Sequence, residues 1–388
     1  MDRMNKDFAA KVERALANAP PHVPGVLIVR LAAIRANYRR LSQAASPAAT
    51  AAVLKADGYG LGHTPVFWVL REEGCHTFFA ATLSEAAALR ALDPNAVIYA
   101  LDGLFPGSAA LASEANVRPV LGNPGEISEW AAFCKCQGRR LPAAIHIDTG
   151  MTRLGLTPAE TQEFAASIVG LRASFEPSLV ISHLACADDP ENSKNEEQRV
   201  SFEQLTAMLG GIPRSLANSA GIFLGPAFHF DLVRPGIALY GSSRFSKRKF
   251  DAEPVVWLYG RIAQVRWAEP GDTVGYGAMQ TLTQPTRIAT VCVGYADGFF
   301  RSLSATNGRE GSPGYIGDHR LPLLGRISMD LATFDATDVP EDLLQRGGFV
   351  ELIGEHVSVD DVAACAGTIG YEVLTSLGRR YHRVYLDD

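Results

Sequence analysis

The sequence predicts an α/β protein in two parts, a (β/α)8 barrel of the TIM type followed by a mostly antiparallel β-domain. Three observations predict it: eight short apolar runs between about residues 50 and 235, helical patterns between them, and a change of texture after about residue 250. The runs are AAVL (51–54), TFFA (77–80), AVIYA (96–100), VRPVL (117–121), AAIHI (143–147), LVISH (179–183), SLAN (215–218) and DLVRP (231–235). Short apolar runs of this kind suit strands of a parallel sheet buried on both faces. The segments between them, SEAAALRAL and PAETQEFAASI among them, carry acids near the front and apolar residues at helical spacing, as crossover helices do. Eight strand–helix units in succession favour a closed barrel over an open doubly wound sheet. The helix after DLVRP is the most weakly marked.

Beyond residue 250, PVVWLYGRIAQVRWAEPGDTVGYG, TRIATVCVGYADG, RLPLLGRISMDLATFDAT and GGFVELIG are β-branched runs punctuated by Gly, Pro and Asp. That is the pattern of a compact antiparallel domain. SVDDVAACAG then reads as a helix capped by Ser358 with Asp361 at its third position. The expected division is 1–248 for an N-terminal extension plus barrel and 249–388 for the β-domain, with SRFSKRKFDAEP (243–254) as linker. No internal repeat or low-complexity tract interrupts this plan.

Composition narrows the function. At 388 residues and 47% hydrophobic, the chain can bury one large core and a smaller one. Its net charge of −6, from 36 basic and 42 acidic residues mixed along the chain, offers no basic stripe to a nucleic-acid backbone. The six cysteines match neither a zinc nor a thioredoxin spacing and read as reduced thiols. No run approaches the roughly 18 apolar residues of a membrane span, and the first 25 residues carry charges where a signal peptide needs an apolar block. A soluble cytoplasmic protein is the expectation.

The chemistry collects at strand ends. AAVLKADGYGLGH ends an apolar run in Lys55 and continues into a glycine-rich turn. In such barrels the working residues sit at the C-terminal ends of the strands, and phosphate commonly binds after strands seven and eight. Lys55 follows strand one, His183 ends strand six, Asn218 and Ser219 end strand seven, and Arg234 ends strand eight before Pro235 and Gly236. Ser219 with Gly221, and Gly236 with Ile237, offer a hydroxyl and backbone N–H groups to a phosphate. A lysine beside a phosphate site suggests pyridoxal 5'-phosphate, which needs a protected amine and an anchored phosphate. Singly, Lys55 reads as a solvated charge, His183 as a structural histidine and Arg234 as an ion-paired edge residue; their shared address argues for a site. No His-x-His pair ends a strand and HFD (229–231) alone is weak, so no metal is expected.

VLKADGYGLGH, HIDTGMTRLG, SHLACAD, NSAG, VRPGIALYG, VGYG, GYADG and GRISMD, in this order and spacing, resemble the alanine racemases over roughly residues 26–388. The resemblance implies a pyridoxal-phosphate enzyme interconverting L- and D-alanine. It implies Lys55 as the lysine linked to the cofactor and one of two bases, and Tyr276, in VGYG, as the other. Racemisation takes a proton from one face of the α-carbon and returns one to the other, so two bases suit it; both ordinarily titrate near 10 and need tuning downward. The resemblance further implies that Arg234 hydrogen-bonds the pyridine nitrogen, that His183 and Asn218 line the cofactor, and that Tyr59, Ser219, Gly236 and Ile237 hold its phosphate. Arg153 would contact the cofactor phenolate and the substrate carboxylate, and Met329 would add a backbone contact to that carboxylate. Asp188, Tyr295, Arg301 and Arg326 match an access corridor favouring small substrates. Tyr276 would reach the site from the other subunit of a head-to-tail homodimer.

Two positions depart from the resembled pattern. His146 stands where the family often carries a carbamylated lysine that orients Arg153; a bound anion, a neutral imidazole or a different support for Arg153 are all open. Arg379 stands where some relatives place a gate-forming tyrosine, with Tyr381 near enough for a local shift to restore the role. The rivals are a broader amino-acid racemase, a related decarboxylase, a non-catalytic cofactor carrier and a metal-dependent barrel hydrolase, the last disfavoured by the lack of a strand-ending His-x-His pair. Whether D-alanine is made for cell wall or consumed as nutrient is left open.

Overall fold

The structure is a computed structural model describing residues 6–243 and 250–387. Its parallel sheet runs in chain order over seven strands: Ala52–Val53, Thr77–Ala80, Val97–Ala100, Arg118–Leu121, Pro142–His146, Glu176–Ile181 and Arg214–Ser215. An eighth, Leu232–Val233, closes the ring. On one side it pairs in parallel with Ala49–Thr50, and the contact continues through Ala51 N to Val233 O (2.9 Å) and Val53 N to Pro235 O (3.0 Å). On the other, Asp231 N reaches Arg214 O (3.0 Å) and Arg234 N reaches Ala217 O (2.9 Å). Closure leaves no open sheet edge to recruit another chain. All eight expected runs are in the wall, although strands one, seven and eight have only two regularly paired residues each, with a single further bridge between Asn218 and Arg234 beyond the last two.

Six crossover helices follow strands one to six: His63–Glu72, Leu83–Leu92, Ala109–Glu114, Pro124–Cys136, Pro158–Ser174 and Lys194–Ala207. Their starts are chemically marked. Thr82 with Glu85 and Thr157 with Glu160 form reciprocal capping boxes, and Asn123 accepts Glu126 N. After strands seven and eight only 3-10 turns appear among the described residues, Gly221–Leu224, Pro226–Phe228 and Ile237–Tyr240. The weak helical signal after DLVRP is thus a short turn. Helix Leu31–Ala45 covers that part of the wall instead, with Asn37 Nδ2 donating to Leu239 O (3.3 Å) and Tyr38 Oη to Thr50 O (2.9 Å).

The chain divides differently from the expected 1–248 and 249–388. One compact unit comprises Arg35–Leu239 and Ser243–Ala252; the other joins the residues up to Ile34 to Tyr240–Ser242 and Glu253 onward. The reason lies in strand Gly25–Arg30. It is antiparallel to the start of the long strand Val256–Ala268 and parallel to His382–Leu386, so the β-unit takes its strands from both ends of the sequence. The remaining pairings of this nine-stranded sheet are antiparallel. Helix Lys6–Ala17 belongs to the same unit. Phe8 and Val12, one turn apart on one face, join Val26, Ile28, Trp257 and Tyr259 in a core cluster, with the Phe8 and Trp257 rings 4.6 Å apart. Helix Val359–Ala366 carries the Ser358–Asp361 capping box read from sequence.

Residues 244–249 of the expected linker lie outside the described residues. Its next residues are anchored within the barrel unit: the Phe250 ring sits 5.1 Å from Phe223, and Arg40 Nη1 donates to Asp251 O (2.6 Å). All six cysteines are free thiols. Among the described residues no helix is long and apolar enough to cross a membrane.

Candidate active site

The site begins where strand one stops. Leu54 N still bonds Phe79 O (2.9 Å), but after Lys55 five successive residues have positive φ: Ala56 (52°), Asp57 (56°), Gly58 (64°), Tyr59 (55°) and Gly60 (81°). Glycine adopts this region freely, whereas each non-glycine residue there costs roughly 1–2 kcal/mol. Neighbouring groups offset the strain. Gly60 N bonds Ala56 O (2.7 Å) and Gly62 N bonds Asp57 O (2.8 Å), while Asp57 Oδ1 accepts His63 N (2.9 Å) and Glu85 Oε1 accepts Ala56 N (2.8 Å). Lys55 stays accessible beyond the end of strand one, and Tyr59 is turned back into the protein, 5% exposed.

Tyr59 explains Gly236. A Cβ on Gly236 would lie 2.1 Å from Tyr59 Oη, so only glycine leaves room for the phenol. Ser219 is beside them, its Oγ accepting Gly236 N (2.9 Å) and Ala238 N (3.3 Å). The Gly236 N–H, expected to face an anion, is therefore spent on Ser219 in this structure. Ile237 is fully buried. Asn218 Oδ1 accepts Gly221 N (2.9 Å), and its Nδ2 lies 3.5 Å from His183 Nε2.

Arg234 is buried and committed. Nη1 donates to Ser215 O (2.7 Å) and Ser215 Oγ (2.6 Å), and Nη2 to Ser182 O (2.6 Å), which fixes the guanidinium within the ring of strands. Burial lowers its pKa to about 10, which still leaves it protonated at neutral pH. The cations around it make a field hostile to further positive charge. His183 is pulled down to about 3 by desolvation, then by Arg234, Arg153, Lys55 and His146. His146 is pulled down to about 4 by desolvation and Arg234, with Asp148 opposing and Arg153 assisting. Both imidazoles are neutral at pH 7. Lys55 is accessible by area, yet protein atoms crowd its stem and amine, and desolvation followed by Arg153 lowers its pKa while Asp102 and Glu85 act against them.

Arg153 stands on an exposed loop organised by Asp148, whose Oδ1 accepts the N–H groups of Gly150, Met151 and Thr152 at 2.9–3.1 Å. It lines a cavity of about 220 Å³ with Asp102, Asn123, Glu126, His146 and Gly155. A Cβ on Gly155 would sit 2.6 Å from Asp148 N and 3.1 Å from the His146 ring, so the loop closes tightly over that imidazole. Asp188 is exposed in the loop after strand six.

The β-unit gathers its own set. Tyr276 is 70% exposed on a short turn between Gly275 and Gly277, both with positive φ. Cβ atoms there would meet the Arg326 backbone (3.2 Å) and the Arg326 guanidinium (2.9 Å). Tyr295 N bonds Ser328 O and Ala296 N bonds Met329 O (3.1 Å each), which joins the GYADG and GRISMD motifs. Arg301 reaches the same place through Ser304, whose Oγ donates to Arg301 O (2.6 Å) and accepts Ile327 N (3.0 Å). Tyr295 and Met329 are exposed. Tyr381 is not available for a gate: it is buried in the β-unit, its ring 3.1 Å from where a Cβ on Gly25 would lie, while Arg379 is exposed.

The model for the family described as "Alanine racemase, N-terminal domain" matches residues 29–244, and that for "Alanine racemase, C-terminal domain" matches 255–385. The chain belongs to the alanine racemase family. A catabolic alanine racemase of Mesorhizobium japonicum is 46% identical over 93% of either chain, and a biosynthetic one of Agrobacterium fabrum is 43% identical over 99% of either. Among solved structures, the Bartonella henselae alanine racemase, with covalently bound pyridoxal phosphate, matches with a TM-score of 0.87 at 38% identity. That match covers 94% of this chain and 99% of that one.

Sequence reading missed three supports of this racemase fold. Gln198, buried, donates to His183 O (2.9 Å) and Thr149 Oγ1 (3.2 Å). Arg380 donates to Asp297 (2.6 and 2.8 Å) and Asp330 (2.7 Å), tying the Tyr295 and Met329 turns to the chain near its end. Glu85 braces the residue after Lys55. Only Glu85 left a trace, as the fourth residue of TLSE, a capping box.

Proposed function

We propose that this protein racemises alanine with pyridoxal phosphate, using Lys55 and Tyr276 as the two bases. The reaction class and cofactor follow from family membership and from relatives named for them over nearly the full chain. The residues fit a flat anionic aldehyde. Lys55 offers an amine of lowered pKa, Arg234 a buried permanent cation, and Tyr59 with Ser219 and Gly236 a tight cradle at the barrel end where phosphate binds in this fold. The lowered lysine carries the reading, because a lower pKa enlarges the neutral fraction of the amine, the form that adds to an aldehyde and accepts a proton.

When bound, the cofactor supplies the electron sink that makes the α-proton of an amino acid removable. The protein's residues do the rest. Lys55, poised between an acidified amine and the steadying charges of Asp102 and Glu85, takes or gives a proton on one face. Tyr276 Oη does so on the other, its phenol contributed by a second copy of the chain in a head-to-tail dimer. Arg153 holds the substrate carboxylate with its guanidinium fork, Met329 adds a backbone contact, and the neutral His146, lining the same cavity, adds no charge to compete with that cation. His183, also neutral, and Asn218 would line the cofactor, and Arg234 would donate a hydrogen bond to its pyridine nitrogen. Asp188, Tyr295, Arg301 and Arg326 narrow the approach to small amino acids.

The test is racemisation of L-alanine together with a map of the borohydride-reduced protein. The pyridoxyl tag is expected on Lys55, and Tyr276→Phe is expected to keep the tag while losing at least about 100-fold in turnover, the usual scale of a positioned acid–base group. Carbon dioxide release without D-alanine would overturn the reaction class.

A further inference from the structure

Glu85 begins as a helix cap. Thr82 Oγ1 accepts Glu85 N (3.2 Å) and Glu85 Oε2 accepts Thr82 N (3.5 Å) at the start of Leu83–Leu92. Its carboxylate then reaches past its own helix. Oε2 also accepts Ala81 N (2.9 Å), and Oε1 accepts Ala56 N (2.8 Å) from the neighbouring strand's end. The last backbone rung between strands one and two is Leu54 N to Phe79 O. Beyond it strand one turns left-handed, and the Ala56 N–H goes to the carboxylate, which bridges the two strand ends where the ladder stops. The other box on a barrel helix behaves differently: Glu160 bonds Thr157 N (2.8 Å) and Thr157 Oγ1 (2.9 Å), and its hydrogen bonds stay within its own turn. A cap needs only the oxygen that Thr82 uses. The second oxygen serves the peptide next to Lys55.

We propose that Glu85 is a positioning residue for Lys55, its carboxylate clamping the peptide that follows the lysine and so setting where the amine stands at the barrel mouth. The inference rests on Lys55 being the cofactor-linked base. Clamping matters here because the turn is strained: with Ala56, Asp57 and Tyr59 all left-handed, releasing Ala56 N lets the chain relax toward ordinary φ values and carries Lys55 with it. The charge acts in the same place, opposing the burial and the Arg153 cation that deplete protonated Lys55.

The experiment labels cofactor-free protein with acetic anhydride across pH, reads acetylation of the Lys55 peptide by mass, and measures kcat and KM of the holoenzyme. Wild type, Glu85→Gln and Thr82→Ala are compared. Thr82→Ala removes the cap but not the bridge, so it should lower Tm and leave the Lys55 profile in place. Glu85→Gln should move the Lys55 midpoint to lower pH and reduce kcat roughly tenfold or more with little change in KM, as misplacement of a reacting group does. Profiles and kcat of Glu85→Gln that coincide with those of Thr82→Ala overturn the proposal. If Glu85→Gln does not fold, Glu85→Asp keeps the charge but shortens the arm; its kcat should fall with the midpoint unmoved, and a wild-type kcat overturns the clamp. A pyridoxyl tag on a different lysine overturns the reading of Lys55 itself, whereas a tag on Lys55 with unmoved profiles overturns only the role of Glu85.

Discussion

His146 and His183 show how single residues inherit their properties from the ring of strands. Each is an ordinary imidazole in sequence; enclosed beside Arg234 and Arg153, they are held neutral, at about 4 and about 3. Above about pH 7.5 both are essentially neutral folded or unfolded and contribute no pH dependence. Below it the unfolded chain binds protons that the folded chain refuses, so stability falls with pH, by up to about 1.4 kcal/mol per unit for each histidine, until the folded pKa is reached. Urea unfolding of cofactor-free protein between about pH 4.5 and 6.5 should therefore show a steeper decline for wild type than for His146→Gln. Equal slopes would mean that His146 is already protonated in the folded state. At pH 7 the imidazole at this position therefore adds no charge beside Arg153.

At the scale of elements, the N-terminal extension is part of the β-unit's core. Phe8 is fully buried against Trp257, and the Arg30 guanidinium lies 4.9 Å from its ring. Phe8→Ala should destabilise the protein by about 3–5 kcal/mol, the usual effect of deleting a buried aromatic side chain. Denaturant titration followed by Trp fluorescence measures it, and a change below about 1 kcal/mol would show that the helix is dispensable. In sequence this segment reads as charged, unsuited to be a signal peptide and open to being an extra helix, with nothing in it to name the strands it packs on. GVLIVR is apolar up to its closing Arg30 and resembles a barrel strand as closely as a β-domain strand; nothing local in it announces partners at Val256–Ala268 and His382–Leu386.

At the scale of the molecule, the proposed bases belong to different compact units, Lys55 to the barrel and Tyr276 to the β-unit, and the phenol stands exposed on its turn. A composite dimer predicts complementation. Lys55→Ala and Tyr276→Phe should each be inactive, yet refolding them together should restore about a quarter of the sites, because half of randomly formed dimers are hybrids and one of their two sites is intact. No recovery on mixing, with hybrids verified by mass, would place both bases in one chain. Mixing also tests the head-to-tail arrangement independently of any interface area.

Read alone, the amino-acid sequence carries the eight wall strands, the helices between them, the Ser358–Asp361 cap, the change to a β-domain and the strand-end address of Lys55, His183, Asn218, Ser219 and Arg234. These are readable because apolar runs, helical spacing, cap chemistry and glycine turns act over a few residues. Tertiary structure alone decided that the first strand completes the β-sheet, that Tyr59 fills the space Gly236 leaves, that Tyr381 is core, and that the Glu85 carboxylate spans two strand ends. Each of these depends on segments far apart in sequence meeting as the ring and the sheet close, and such a contact leaves no mark in either segment until its partner is beside it.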